Sequence, residues 1–174
     1  MKIYDKPIFY FPKFFHPDPS VKRQSGFLMP GIINSSTSGN SIKIPYFAAT
    51  SKNKDFTITP RLYFNGDLMV QNEFRQVEKN YKNIIDFSLK NMNGGNKSHL
   101  FANSEIVIDL DNSEYSNLEV NIETTSHDTY LKTENIITQK GFSSNIMNNY
   151  LNFDMSKEDL DVKIEFKAYE DLSK

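Results

Sequence analysis

The property that most restricts this chain is a two-residue alternation of apolar and polar side chains that recurs along most of its length. Phe56, Ile58, Leu62 and Phe64 share one side of an extended segment, and Thr57, Thr59, Arg61 and Tyr63 take the other. Leu68, Val70 and Phe74 oppose Gln71, Glu73 and Arg75, with Met69 the exception on the polar side. The same pattern sets Ile85, Phe87 and Leu89 against Asp86, Ser88 and Lys90, and Leu118, Val120 and Ile122 against Glu119, Asn121 and Glu123. It returns near the end, where Leu160, Val162, Ile164 and Phe166 alternate with Asp161, Lys163, Glu165 and Lys167. Successive side chains of a strand point to opposite faces, so a period of two predicts strands with one greasy and one charged face.

Turn signals separate these runs. Asn65-Gly66-Asp67, Lys79-Asn80, the stretch 91–96 with Gly94-Gly95, the stretch 111–113 and Lys140-Gly141 all supply residues that tolerate tight hairpins. Strand, turn and strand every dozen residues or so predicts an all-β antiparallel meander of about nine or ten strands after Ser25. The stretch Asn34 to Ser41, NSSTSGNS, reads as a flexible loop between two strands that each carry a proline, Pro30 and Pro45. Proline cannot donate to a β ladder, so both mark places where pairing weakens, as at a gate, or simply where strands end or bulge.

Two architectures produce this alternation. A soluble sandwich packs the apolar face inward and wets the charged one. A membrane barrel turns the apolar face to lipid and lines a lumen with the polar one. Periodicity does not distinguish them, so a soluble all-β binding module and a porin-type channel both stand as alternatives. No run approaches the roughly 20 apolar residues of a membrane helix, whereas a membrane strand needs only about 9 to 11.

Composition narrows the function classes. With no cysteine in 174 residues, disulfides, thiolate metal sites and a cysteine nucleophile are all excluded. A net charge of −2 gives no electrostatic case for nucleic acid. Paired carboxylates such as Asp109 and Asp111 have no partnered base, His127-Asp128 has no serine set in an elbow, and Gly94-Gly95 lacks the lysine of a phosphate loop. The reading is therefore not an enzyme, with no cofactor and no metal. His16 and Asp18 lack the further ligands a metal needs.

The first thirty residues carry the remaining signals. In His16-Pro17-Asp18-Pro19 two prolines hold their predecessors extended, which predicts a rigid connector. Lys22 and Arg23 follow as a basic pair, in which the arginine offers a planar fork suited to phosphate, or equally as solvated surface charge. Phe9 and Phe11 lie in an aromatic run that reads as core packing. MKIYDKPIFYFP has no apolar stretch ending in small residues, and KAYEDLSK lacks a terminal aromatic, so the chain is expected to be an internal piece of a longer precursor or a truncated gene model.

These residues stand in a particular order: PIFYFP at Pro7 to Pro12, HPDPSVKRQSGFLMP at His16 to Pro30, IPYF at Ile44 to Phe47, KDFTITPRLYF at Lys54 to Phe64 and QNEFRQ at Gln71 to Gln76. That order resembles the junction between periplasmic jellyroll and transmembrane barrel in the outer-membrane lipopolysaccharide-assembly proteins of the LptD (OstA-type) family. The likeness is specific over roughly residues 6 to 76. Further on it is one of texture, with HLFANSEIVIDL and SHDTYLK standing where the family has comparable strands.

The resemblance implies that residues 1–25 are the end of a periplasmic jellyroll and a hinge, and that residues 26–174 are the N-terminal strands of an incomplete barrel. It implies transport of lipopolysaccharide into the outer leaflet of the cell outer membrane, with the N-terminal part periplasmic. Pro30 and Pro45 take the lateral-gate role, Lys22 and Arg23 head-group guidance, His16 to Pro19 the hinge, and Phe9 and Phe11 the acyl groove. Implied partners are lipopolysaccharide, the lipid bilayer, a lipoprotein plug of the LptE type and a periplasmic bridge protein of the LptA type.

Overall fold

The computed structural model describes residues 2–3, 6–7, 23–92, 95–110, 113–136 and 145–173. Two short strands, β1 (Lys2–Ile3) and β2 (Lys6–Pro7), pair with each other as a separate two-stranded sheet. All other strands join one antiparallel sheet of eleven, slightly more than the nine or ten expected, because its first two strands are each broken in the middle. The pieces β3 (Gly26–Phe27) and β4 (Gly31–Ile33) make up the first strand. The second consists of β5 (Ser41–Lys43) and β6 (Tyr46–Ala49).

A regular meander then runs through β7 (Lys54–Tyr63), β8 (Leu68–Val77), β9 (Tyr81–Met92), β10 (Gly95–Val107), β11 (Tyr115–Thr125), β12 (Ile146–Lys157) and β13 (Leu160–Asp171). From β7 to β13 each strand pairs with the next, and at the other end β7 pairs with both β5 and β6, which pair in turn with β4 and β3. Gly66 (φ 94°) and Gly95 (φ 120°) stand at two of the predicted turns in backbone conformations that glycine tolerates best. The β12–β13 turn uses Glu158 at φ 44°, a position without an obvious turn signature.

One expectation is corrected. SHDTYLK is not a strand: Tyr130–Glu134 forms a single-turn helix, α1, closed by Asn135 in the left-handed conformation. Five residues are too few to display a helical period. What seats the turn is tertiary burial, since Tyr130 and Leu131 are both fully enclosed against Phe101 and Met147 in one small apolar cluster.

Which face of the sheet is inside is the decisive feature. Arg61 (6% exposed), Lys90 (3%) and His99 (3%) are enclosed, together with Asp55, Asn103, Asn121 and Glu123. On the opposite face Phe64 is 68% exposed and Leu89 60%, and Leu62, Leu100 and Ile122 are exposed as well. The register places the enclosed residues on one continuous surface. Arg61 pairs with Met69, Met69 with Lys90, Ser88 with His99, and Phe101 with Glu123. The sheet thus shelters its polar face and presents its apolar face, the reverse of a sandwich. Among the described residues no helix is long and apolar enough to cross a membrane. Strands cross by another route.

Candidate functional site

Two features stand out: the broken first hairpin, and the polar cluster on the sheltered face behind it.

In the first hairpin the register slips by one residue. Phe27 lies opposite Tyr46, yet Gly31 lies opposite Lys43, so the first strand carries one residue more than its partner between these pairs. This is a β-bulge, and Pro30 is in it. Pro45 lies directly across, buried, between β5 and β6. The Leu28 amide donates to the Pro45 carbonyl at 2.9 Å. In an antiparallel ladder the two residues of such a pair exchange both bonds, but Pro45 has no N–H to return.

One strand further in, the Ile44 amide donates to the Pro60 carbonyl at 3.0 Å, and Pro60 likewise cannot reciprocate. Three prolines therefore align across three consecutive strands, and two are missing donors of pairs that are otherwise made. Pro60 was not singled out from the sequence. Its signal was its spacing, since 30, 45 and 60 differ by equal steps, but equal steps mean nothing until hairpin lengths fix which residues face each other.

Arg23 is placed elsewhere. Its guanidinium pairs with Asp55, which also accepts from Arg75 Nε at 2.9 Å, and it lies 5.6 Å from the centre of the Phe47 ring. Asp55 pairs across from Ala49, about 13 Å along the strand from Pro45. Arg23 and the prolines are thus at different levels of the sheet. Lys22, His16, Pro17, Asp18, Pro19, Phe9 and Phe11 lie outside the residues whose side chains are described.

The polar cluster is built where α1 folds back over the sheltered face. Glu134, at the last turn of α1, is gripped from two strands. Arg61 Nη1 donates to its Oε2 at 3.1 Å and to its backbone carbonyl at 3.2 Å, Lys90 Nζ donates to its Oε1 at 2.8 Å, and the Tyr63 hydroxyl also donates to Oε2. Arg61 is itself oriented by Ser41 Oγ (2.8 Å) and Ser38 Oγ (3.1 Å), which come from the predicted serine-rich loop and the strand after it. Both cations lie over the Tyr63 ring, Lys90 Nζ at 4.0 Å and Arg61 at 4.7 Å from its centre. Beside this cluster is a cavity of about 280 Å3, lined by Lys43, Arg61, Ser35, Ser38, Gln71 and Glu134 among others. None of this cluster was identified from the sequence, because Arg61 and Glu134 are 73 residues apart.

A second network has the residue types of a hydrolase. Ser88 Oγ lies 2.6 Å from His99 Nδ1, and His99 Nε2 lies 3.3 Å from Asp86 Oδ1, which also accepts from Gln71. The Ser88 hydroxyl, however, is buried beneath Tyr130, whose own hydroxyl bonds it at 2.7 Å. No carbonyl can approach it while α1 is seated. Its role here is to hold Tyr130. Among the described residues no three His, Asp or Glu side chains are grouped to hold a metal.

The described residues thus form a continuous antiparallel sheet with a sheltered polar face, an exposed apolar face and an edge hairpin that lacks a donor at Pro45. Comparison with known proteins shows what about half of this chain is similar to. The chain is 39% identical over 80 residues to the LPS-assembly protein LptD of Psychrobacter cryohalolentis, a match covering 46% of this chain and 8% of that protein. It is 31% identical over 91 residues to LptD of Pseudomonas aeruginosa (52% and 10%), and 32% identical over 88 residues to LptD of Francisella tularensis subsp. novicida (51% and 10%). The matched part spans about a tenth of the length of these relatives. No family model matches the chain. The resemblance drawn from the sequence motifs is borne out: about half of this chain is similar to a segment of LptD.

Proposed function

We propose that this chain forms part of an outer-membrane conduit that carries lipopolysaccharide to the outer leaflet. The observation that carries the reading is the inversion of faces. Phe64, Leu89 and Phe166 are exposed on the outer surface, where hydrocarbon solvates them, while Arg61, Lys90 and Glu123 are sheltered within. A soluble module would do the opposite, because apolar area left in water forfeits about 25 cal/mol per Å2.

In this reading residues 1–25 end a periplasmic jellyroll and form a hinge, and residues 26–174 begin the barrel. The saccharide head group passes over the hydrated polar face, and acyl chains leave sideways at the β4 edge, where Pro30, Pro45 and Pro60 thin the ladder. The family similarity supports a lipoprotein plug and a periplasmic bridge protein as partners, neither of which this segment contains. Arg23 guides the head group only by giving up Asp55.

The test is a photocrosslinking amino acid at Phe27 or Ile44 in the full-length protein in cells. Both residues are exposed beside the prolines. Lipopolysaccharide adducts that depend on the upstream transport machinery support export by this route. Correct insertion without adducts refutes it in favour of a porin-type channel.

A further inference from the structure

We propose that Arg61, Lys90 and Lys43 form a binding site for a phosphate group on the sheltered face, and that the Glu134 carboxylate, delivered by α1, occupies this site in the resting state. The inference rests on the transport reading only for the identity of the molecule that carries the phosphate.

The donor set is the first argument. A single carboxylate receives Arg61 Nη1 at 3.1 Å, the Lys90 ammonium at 2.8 Å and the Tyr63 hydroxyl. Charge-assisted donors converging from two strands suit an oxyanion, phosphate as well as carboxylate. The two serines hold Arg61 through Nε and Nη2, independently of Glu134, so Nη1 stays aimed at the site when the carboxylate leaves.

Charge balance is the second argument. Arg61, Lys90 and Lys43 supply three positive charges, and Glu134 and Asp67, the latter 3.8 Å from Lys90, supply two negative ones. The site therefore carries +1 with Glu134 in place and +2 without it. A phosphate monoester near neutral pH carries about −1.5 to −2. Exchanging Glu134 for phosphate leaves the two buried cations, Arg61 and Lys90, and the exposed Lys43 beside them balanced, which a neutral sugar cannot do.

Access is the third argument. The cavity of about 280 Å3 opens directly onto Arg61, Lys43 and Glu134, and it abuts the broken hairpin through Ile33, Ser35 and Lys43. Only the C-terminal end of α1 has to move. Tyr130 and Leu131, both fully enclosed, keep the start of the helix seated while Glu134 swings out. A phosphate arriving here is one strand from the proline-thinned edge.

The experiment is calorimetric titration of the full-length protein in detergent with N-acetylglucosamine 1-phosphate, with N-acetylglucosamine as the neutral control. Glu134→Gln removes the internal competitor and is expected to tighten binding of the phosphorylated sugar by about tenfold, since apparent affinity falls with the fraction of sites that are unoccupied and competent. An ion pair with only a structural role predicts no tightening in this variant, and that result overturns the proposal. Arg61→Lys keeps the charge but loses the serine-held guanidinium that aims Nη1 at the site, and is expected to weaken binding. If Glu134→Gln does not fold, Glu134→Asp, which draws the carboxylate back by one methylene, should tighten binding to a smaller extent.

Equal binding of the neutral sugar, or no binding of the phosphate by either wild type or variant, also overturns the proposal. Inorganic phosphate and lipopolysaccharide with and without its phosphates distinguish a free anion from a lipid head group as the natural ligand. Phosphate binding that tightens in Glu134→Gln without lipopolysaccharide adducts at Phe27 leaves the site standing and removes the transport reading. Adducts without such binding do the reverse.

Discussion

Replacing Pro45 and Pro60 together by valine restores two backbone donors to a ladder that already has their partners in place. Leu28 and Ile44 each donate to a proline carbonyl, at 2.9 and 3.0 Å, and their own carbonyls face a ring nitrogen without hydrogen. Each recovered bond contributes about 0.5 to 1.5 kcal/mol net to its own strand pair, the Pro45 donor to the first hairpin and the Pro60 donor to the pairing with β7, so opening both seams together costs about 1 to 3 kcal/mol more. That is a reduction of roughly 5- to 150-fold in the open population. Native-state hydrogen exchange of the Leu28 and Ile44 amides measures it directly, because both report opening of this stretch. Exchange at these amides should slow by that factor while amides of β9 are unaffected, and lipopolysaccharide adducts at Phe27 should fall in parallel. Exchange unchanged within about twofold would refute the argument that the absent donors govern opening.

Two further outcomes follow from the same structure. Leu89→Arg places a charge on the outer face, and if that face meets hydrocarbon the insertion free energy worsens by up to about 2 to 4 kcal/mol near the midplane, read as lost folding into lipid vesicles; a water-facing surface would show almost no change. Burial pushes the Tyr130 hydroxyl up to about 12 from 10, with the Ser88 hydrogen bond opposing and the Glu134 charge adding. Because the folded value is the higher one, this contribution is complete below pH 10 and is lost as pH rises toward 12. Alkaline titration followed by phenolate absorbance and by proteolysis at Lys132 should show α1 released in that window. In Tyr130→Phe the same pH dependence should be absent.

Much of the sheet was legible one strand at a time. The alternation from Phe56 to Phe64 or from Leu118 to Glu123 predicted each strand and assigned every side chain to a face, because the side-chain period of a strand admits only two faces. The Asn65-Gly66-Asp67 turn was legible for a similar reason, since few residues accept its backbone angles. Helix α1 was not legible: Tyr130 and Leu131 adopt a helical turn only because the sheltered face offers them a place to bury. Nor could the grip of Arg61 and Lys90 on Glu134 be read, since nothing local requires an arginine to await a carboxylate 73 residues later.

By itself, then, the sequence determined that the chain is a meander of two-faced strands, and through its motifs it determined the family likeness. Which face is inside was decided only by tertiary structure, because a period of two is unchanged when inside and outside are exchanged. The sheet settles that choice by sheltering Arg61, Lys90 and Ser88 and by laying α1 against them. The alignment of the prolines was decided in the same way. Pro30, Pro45 and Pro60 act on one line only because the bulge and the hairpin lengths bring them level, and register is a property of paired strands rather than of any one of them.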